Sequence, residues 1–397
     1  MDIRIFPGKL QGNIAAIPSK SQAHRLLICA AFADKETTLI CPDTNRDIEA
    51  TAACLRALGA EIVRNDRGYL IRPAVNIPNT ATLNCEESGS TLRFLLPVAG
   101  ALGVDATFLL SGRLPSRPLS PLWEEMERMG CRLSCPTETT IRCCGKLQSG
   151  EYRIDGGVSS QFITGLLFAC GLMDGESHIS INGVLESKPY VDMTLDAMKL
   201  FGRNITDFSV SRGHFISPGE VAVEGDWSNA AFFLAANSLG SDVLVENLNF
   251  ESSQGDMACH KLLAELEKAT TVACGDIPDL VPILSIVAAA KSGATFKNIR
   301  RLRLKESDRV AAVIAMLSAL GCQASATEDT LTVLSGQFQG GTVDACGDHR
   351  IAMAAAIAAT AASSPVTILG AACVSKSYPS FWEEYKRLGG QYELNIR

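Results

Sequence analysis

The chain has 397 residues, of which 47% are hydrophobic and 20% charged, and its formal net charge is -7. A chain of this length and composition can bury large cores, so we expect a globular, soluble protein with two domains. The negative net charge argues against general nucleic-acid binding, which usually requires a basic surface.

In chain order, six polar turns each lead into an apolar helix, and these helices start at Ser21, Ser90, Ser160, Ser228, Asp279 and Asp348. The steps between the starts are 69, 70, 68, 51 and 69 residues, which indicates an internal repeat. Between the starts, an amphipathic helix that usually ends at Gly precedes a strand-like run, as in CLRALGAEIV and EMERMGCRLS. A period of about 70 residues is too long for a solenoid unit, so we predict six small α/β subdomains.

Two segments are predicted to cross between the domains, GNIAAIPSK (12–20) and RGHFISPGE (212–220). If the first strand pairs with the C-terminal half, the N-terminal domain is 14–216 and the C-terminal domain is 1–13 plus 217–397, with three repeats each. The crossings would then lie side by side and form a two-stranded hinge. Such a hinge permits closure over a ligand, and we expect the active site in the cleft between the domains.

Cysteine usage and the absence of an apolar leader predict a cytoplasmic protein. The fourteen cysteines include no C-x-x-C pair and no zinc-ligand spacing, which is typical of reduced, buried thiols. The N-terminus MDIRIFPGK lacks the apolar core of a signal peptide. The longest uncharged stretch, Ile351 to Ser375, is Ala-rich and interrupted by Pro365, so we expect a buried helix followed by a strand and no membrane partner.

Basic and hydroxyl residues concentrate at the helix starts, in PSKSQAHR (18–25), ESGSTLR (87–93), GVSSQF (157–162) and GDHRIAM (347–353). A helix N-terminus attracts anions, so a Lys or Arg in the first turn is unfavourable unless an anion binds there too. More basic groups occur in SGRLPSRP (111–118), in RRLRLKESDR (300–309) and at Lys376. Each feature alone is an ordinary cap or charged surface, but their recurrence at equivalent points of the repeats predicts a pocket for a small, multiply charged anion.

These motifs, together with ESKPY, IPDL and VSKSYP, occur in the order and spacing of the 5-enolpyruvylshikimate-3-phosphate synthases, and the chain resembles that family over essentially its full length. KESDR with the downstream DHR is highly specific to the family. The resemblance implies an α/β, two-domain enolpyruvyl transferase fold, an inside-out α/β barrel. Each domain would contain three βαβαββ repeats, with helices inside and sheets outside.

The resemblance also implies the activity. The enolpyruvyl group of phosphoenolpyruvate is transferred to the 5-hydroxyl of 3-phosphoshikimate, and phosphate is released. This step belongs to the shikimate pathway, which leads to chorismate and the aromatic amino acids. The resemblance implies no cofactor and no metal, two small-molecule substrates, a monomeric protein, and competition of glyphosate with phosphoenolpyruvate.

Site residues are assigned by the same resemblance. The implied 3-phosphoshikimate contacts are Lys20, Ser21, Arg25, Ser159, Ser160, Gln161, Ser187, Tyr190, Asp279 and Lys305. The implied phosphoenolpyruvate contacts are Lys20, Gly89, Arg117, Gln161, Arg309, His349, Arg350 and Lys376. The implied catalytic residues are Asp279, which would deprotonate the 5-hydroxyl, Glu306, which would exchange a proton with the methylene carbon, and Lys20.

Two positions depart from the commonest family pattern, Glu87 where many relatives have Asn and Arg301 where some have a short amide. We expect Glu87 to face away from the site or to pair with an Arg. Two alternative functions stay open: a UDP-N-acetylglucosamine enolpyruvyl transferase, and a non-catalytic phosphometabolite-binding protein. The first usually carries a reactive Cys in the segment that matches SGRLPSRPLS, and this segment contains no Cys here. In the second, two added carboxylates would not improve the binding of polyanions.

Overall fold

The computed structural model describes residues 1–211 and 213–395 and divides into two compact units. The N-terminal unit is Pro18–Val223, and the C-terminal unit is Met1–Ile17 with Glu224–Arg397. Arg212, at the start of the predicted crossing 212–220, lies outside the described residues, as do 396 and 397 at the end of the predicted C-terminal domain. The hinge and the cleft remain predictions.

The described residues contain twelve α-helices and twenty-one strands, numbered in chain order. The helices are α1 (Lys20–Ala31), α2 (Arg46–Ala57), α3 (Gly89–Leu102), α4 (Leu122–Arg128), α5 (Ser160–Leu172), α6 (Lys188–Leu200), α7 (Trp227–Ser238), α8 (Cys259–Glu265), α9 (Val281–Ala290), α10 (Arg309–Ala319), α11 (His349–Ala359) and α12 (Phe381–Arg387). Short 3-10 helices are Leu114–Ser116, Gly255–Ala258, Arg300–Leu304 and Ala371–Lys376.

The strands are β1 (Asp2–Phe6), β2 (Gln11–Ala15), β3 (Thr37–Ile40), β4 (Glu61–Asn65), β5 (Gly68–Arg72), β6 (Thr80–Glu86), β7 (Asp105–Leu110), β8 (Cys131–Thr137), β9 (Thr140–Gly145), β10 (Glu151–Asp155), β11 (Ser177–Asn182), β12 (Ser209–Val210), β13 (Glu220–Ala222), β14 (Asp242–Glu246), β15 (Thr270–Ala273), β16 (Ala294–Lys297), β17 (Ala324–Ala326), β18 (Thr330–Val333), β19 (Gly341–Asp344), β20 (Val366–Leu369) and β21 (Gln391–Asn395).

The repeats are visible as small mixed sheets. In the N-terminal unit, one sheet has the order β6-β7-β9-β8, in which β6 and β7 are parallel and the other neighbours are antiparallel. In the C-terminal unit, β15-β16-β18-β17 has the same order and the same directions. Each of these sheets uses two helices, so both have the βαβαββ pattern, and the predicted fold is confirmed.

The first and fourth repeats exchange their opening strands. Strand β2 precedes α1 but pairs with β14 of the C-terminal unit, whereas β13 precedes α7 but pairs with β3 of the N-terminal unit. The unit boundaries therefore fall after Ile17 and Val223. The predicted boundaries at 14 and 217 come four and seven residues earlier. In addition, β1 pairs with β20 and β21, so the first strand belongs with the C-terminal half.

The opening helices of the repeats form the cores. Helices α1, α3 and α5 are buried over most of their length in the N-terminal unit, and α7, α9 and α11 are buried in the same way in the C-terminal unit. Helices that are apolar on most sides require this placement. The stretch from Ile351 forms buried helix α11 and strand β20, as predicted. Among the described helices, none is long and apolar enough to cross a membrane.

Candidate active site

Lys20 opens helix α1 and forms an ion pair with the start of α2. Its Nζ lies 2.9 Å from Asp47 Oδ2, and both side chains are largely buried. The ammonium faces the unfavourable positive end of the α1 dipole, and Asp47 compensates for it. Sequence reasoning missed Asp47, because an acidic residue in the first turn of a helix is an ordinary preference.

Arg25 is buried and holds α6 against α1. Its Nε donates to Thr194 Oγ1 at 2.9 Å, its Nη2 to the Tyr190 carbonyl at 2.7 Å, and its Nη1 to the Ser21 carbonyl at 2.5 Å. The guanidinium also lies over the Phe94 ring. Burial lowers the pKa of Arg25 to about 10, so it stays charged at neutral pH. The structure thus brings together three predicted residues, Ser21, Arg25 and Tyr190.

A second group gathers at the starts of α3 and α5. A Cβ added at Gly89 would lie 2.6 Å from Arg93 Nη1 and 2.7 Å from Arg117 Nη1, so only Gly lets both guanidinium groups approach this turn. Arg93 Nη1 donates to Gln161 Oε1 at 3.3 Å. The Gln161 amide donates in turn to Ser90 Oγ at 3.0 Å. Arg93, which the predicted set omits, is therefore central to this group.

The predicted serines lie at the starts of α5 and α6. The Ser159 hydroxyl caps α5 by accepting from the Gln161 N–H at 3.3 Å, and Ser160 follows as its first, buried residue. Ser187 is buried before α6 and has a φ of 56°, in the left-handed region. A residue other than Gly in that region carries strain, and such strain often occurs at functional sites.

Buried hydroxyl groups beneath these helix starts fix the helices to one another. His24 Nδ1 is 2.7 Å from Thr51 Oγ1, which is 2.7 Å from Thr91 Oγ1, so α1, α2 and α3 are linked. Thr164 and Thr194 make a similar 2.8 Å link between α5 and α6. Burial lowers the pKa of His24 to about 3, so this imidazole is neutral. Buried hydrogen bonds of this kind restrict the helices to one arrangement.

In the C-terminal unit, one buried guanidinium joins three carboxylates. Arg309 Nε lies 2.8 Å from Asp348 Oδ2, Nη1 lies 2.6 Å from Asp279 Oδ1, and Nη2 lies 2.7 Å from Glu306 Oε2. The Arg309 side chain is 1% exposed and that of Asp348 is fully buried. The Ser307 hydroxyl also donates to Asp348 at 3.0 Å. We call these side chains the Arg309 cluster.

Asp279 is shared among three cations. Besides Arg309, its carboxylate lies 3.5 Å from Lys305 Nζ and 3.3 Å from Arg350 Nη2. Burial raises the pKa of Asp279, but Lys305, Arg350 and Arg309 outweigh burial and hold it well below its usual range. The predicted helix start at Asp279 is two residues too early. Helix α9 begins at Val281, and Asp279 lies in the preceding turn.

The remaining predicted residues lie on α11 and its neighbour. His349 and Arg350 are the first residues of α11, and the helix is capped by Asp348, which accepts from the Arg350 N–H at 3.0 Å. Lys376 is buried at the end of the 3-10 helix Ala371–Lys376, which packs against α11. The structure thus connects Asp279, Lys305, Glu306, Arg309 and Arg350 directly and places His349 and Lys376 on adjoining segments.

Within residues 1–211 and 213–395, no group of three or more His, Cys, Asp or Glu side chains could hold a metal ion. Glu87 is exposed and lies against Gly112, at which an added Cβ would be 2.6 Å from its Cδ. The residue groups described in the two units contain cations, carboxylates, hydroxyls and an amide. Such groups bind anions and transfer protons.

The chain matches a known family over almost its whole length. The model of the family described as EPSP synthase (3-phosphoshikimate 1-carboxyvinyltransferase) matches residues 6–385. A 3-phosphoshikimate 1-carboxyvinyltransferase of Clostridium beijerinckii is 37% identical, with 99% of this chain and 98% of the relative covered. A protein of the same name from Clostridium perfringens is 38% identical, with 97% and 98% covered.

Solved structures show the same fold. An EPSP synthase from Acinetobacter baumannii has a TM-score of 0.81 and 22% identity, and the comparison covers 99% of this chain and all of the other. The enolpyruvyl transferase NikO from Streptomyces tendae has a TM-score of 0.77 and 16% identity, with 99% of this chain and 98% of the other covered.

Proposed function

This chain belongs to the EPSP synthase family and is an enolpyruvyl transferase, and we propose that the two groups of residues described above bind and activate its substrates. It transfers the enolpyruvyl group of phosphoenolpyruvate to the 5-hydroxyl of 3-phosphoshikimate. The Arg309 cluster is the observation that supports the proposed residue roles, because it places Asp279 and Glu306 beside Arg309.

Both substrates are polyanions, so the first task of the site is to offset their mutual repulsion. We assign phosphoenolpyruvate to Lys20, Gly89, Arg117, Gln161, Arg309, His349, Arg350 and Lys376. We assign 3-phosphoshikimate to Lys20, Ser21, Arg25, Ser159, Ser160, Gln161, Ser187, Tyr190, Asp279 and Lys305. Because Arg25 already donates to three protein groups, its contribution includes holding Tyr190 in place. Arg93 joins the phosphoenolpyruvate group through its contact with Gln161.

The second task is to move two protons. The pair with Arg309 favours ionised Glu306, so Glu306 first takes up a proton from solvent as the anionic substrates bind, and it then delivers this proton to the methylene carbon of phosphoenolpyruvate. Asp279 accepts the proton of the attacking 5-hydroxyl. A carboxylate as strongly paired as Asp279 is a weak base. A substrate anion that engages Lys305 and Arg350 draws these cations away and makes Asp279 more basic. Binding of the substrates thus prepares the base for the reaction.

In the final step the C–O bond to phosphate of the tetrahedral adduct breaks, a methyl proton returns to Glu306, and the proton that Asp279 accepted passes to the leaving phosphate oxygen. Cations that lie near the phosphate stabilise the charge that develops as it leaves. Lys20 is suited to this role because Asp47 orients its ammonium. All fourteen cysteines are free thiols. The cytoplasmic location and the monomeric state remain predictions.

The assay of phosphate release with different acceptors tests the function. Phosphoenolpyruvate should release phosphate when 3-phosphoshikimate is present and should not do so with UDP-N-acetylglucosamine or without an acceptor. Release that depends on the UDP-sugar would favour the cell-wall reaction. Binding of both phosphorylated compounds without release would favour the non-catalytic alternative.

A further inference from the structure

Asp256 is a buried carboxylate that is linked to Arg350 through Ser228. It is not among the residues assigned to the site. It is 3% exposed and belongs to the 3-10 helix Gly255–Ala258. The Ser228 hydroxyl donates to Asp256 Oδ2, and the Ser228 backbone carbonyl accepts from Arg350 Nη1 at 3.0 Å. Arg350 Nη2 then reaches Asp279 at 3.3 Å. A continuous polar path therefore runs from Asp256 through Ser228 and Arg350 to the proposed base.

Several carboxylates share the cations of this path and of the adjoining Arg309 cluster. Asp279, Glu306 and Asp348 contact Arg309, and Asp279 also contacts Lys305 and Arg350. Asp226 and Asp256 act on Arg350 through their charge. Arg309 is already shared by three of the carboxylates. An arriving anion that binds Arg350 therefore adds negative charge near these carboxylates, which favours protonation of one of them.

Asp256 is a carboxyl group that can hold a proton near neutral pH. Burial first, and then the nearby Asp279, raise the pKa of Asp256 to about 7. Arg350 and the Ser228 hydroxyl act in the opposite direction, whereas Asp226 raises the pKa further. The other titratable neighbour is the Cys259 thiol, whose pKa is raised by burial and by Asp256, so it stays neutral.

We propose that Asp256 takes up a proton when an anionic substrate binds at Arg350, and that this carboxylate, which touches no substrate, sets the pH dependence of substrate affinity. The anion competes with Asp256 for the charge of Arg350, so ionised Asp256 becomes less favourable in the complex. Asp256 is thus a positioning residue that acts through Ser228 and Arg350. The inference rests on the proposed function for the placement of the substrate anion.

The sign of the effect follows from linkage. An added negative charge raises the pKa of a carboxyl group, so binding near neutral pH is accompanied by proton uptake. The affinity for the substrate anion then falls as the pH rises from the pKa of Asp256 in the free protein to its pKa in the complex. For one proton, this fall is at most about tenfold per pH unit.

Calorimetry measures this uptake without catalytic turnover. Protein saturated with 3-phosphoshikimate is titrated with glyphosate, an anion that competes with phosphoenolpyruvate in this family, at about pH 7 and about pH 8 in buffers of different protonation enthalpy. Wild type should take up more protons per bound glyphosate than Asp256→Asn, in which the amide oxygen can still accept from Ser228. Asp242→Asn, which changes an exposed carboxylate in the same unit, should match wild type.

A second variant keeps the inference testable if Asp256→Asn does not fold. Ser228→Ala removes the hydroxyl that favours ionised Asp256, so the pH of greatest uptake should rise. Equal proton uptake in wild type and Asp256→Asn, or a pH of greatest proton uptake that does not change in Ser228→Ala, would overturn the inference and leave the proposed function intact. Failure of the wild type to bind 3-phosphoshikimate and glyphosate would instead overturn the proposed function, and the inference with it.

Discussion

Replacement of Arg309 by Met should destabilise the C-terminal unit strongly, in addition to any effect on activity. The side chain is 1% exposed and contacts Asp348, Asp279 and Glu306 at 2.6–2.8 Å. Removal of one partner from a buried ion pair typically costs about 3–5 kcal/mol, because the other charge stays buried without compensation. Asp348 is fully buried, whereas Asp279 and Glu306 are 21% and 15% exposed, so most of the cost should arise from Asp348. The apolar stem of Met limits the loss of packing.

Urea unfolding followed by the fluorescence of Trp227 and Trp382, both in the C-terminal unit, measures this effect. Arg300→Met is a matched control, because Arg300 is 67% exposed and its pair with Glu328 should contribute less than about 1 kcal/mol. Addition of Asp348→Asn to Arg309→Met should recover part of the lost stability. If Arg309→Met costs no more than the control, the cluster is not the structural centre described here.

Three further predictions follow from the same contacts. Asp279→Asn and Glu306→Gln should each lower kcat by about two to four orders of magnitude, since an amide keeps the shape but cannot carry the proton; a variant that lost binding in proportion to turnover would show a positioning role. Gly89→Ala should raise the KM for phosphoenolpyruvate about tenfold or more, because its Cβ displaces two guanidinium groups and one charge-assisted hydrogen bond is worth about 1.5–3 kcal/mol. Gly8→Ala, where nothing lies within 4 Å, is the control, and an equal KM in both would contradict the crowding argument. Cations hold the pKa of Asp279 well below its usual range, so its pairs stabilise the fold above the unfolded pKa of about 3.9 and this contribution is lost as pH falls towards the folded pKa. The thermal midpoint, followed by circular dichroism, should therefore fall on acidification below about pH 4, and it should fall less in Asp279→Asn.

The periodicity of the sequence located most of the architecture. Five of the six predicted core-helix starts fall within one residue of the observed helix, because hydroxyl or acidic caps precede continuous apolar runs. The exception is Asp279, since Pro278 and Asp279 lie in a turn and Pro282 stands at the start of α9, whose first residue is Val281. The exchange of β2 and β13 could not be predicted, because both strands are short and each pairs with a strand that is not its neighbour in sequence.

The sequence motifs identified the residues that stand within them better than the acidic residues that lie outside them. Arg309 and Asp279 stand in conspicuous segments, so they were predicted. Asp47 and Asp256 were not, because an acidic residue near a helix start is common and only the folded chain shows what it contacts. The direction of Arg25, towards Thr194 and away from solvent, likewise depends on how α1 packs against α6.

The product formed in heavy water tests the central claim most directly. Phosphoenolpyruvate and 3-phosphoshikimate are incubated with the protein in D2O, and the product is examined by NMR spectroscopy. We expect an enolpyruvyl ether on the 5-hydroxyl with deuterium in its methylene group, because the carbon is protonated during addition and loses a proton during elimination. Phosphate release without this ether, or an ether that contains no deuterium, would contradict the account.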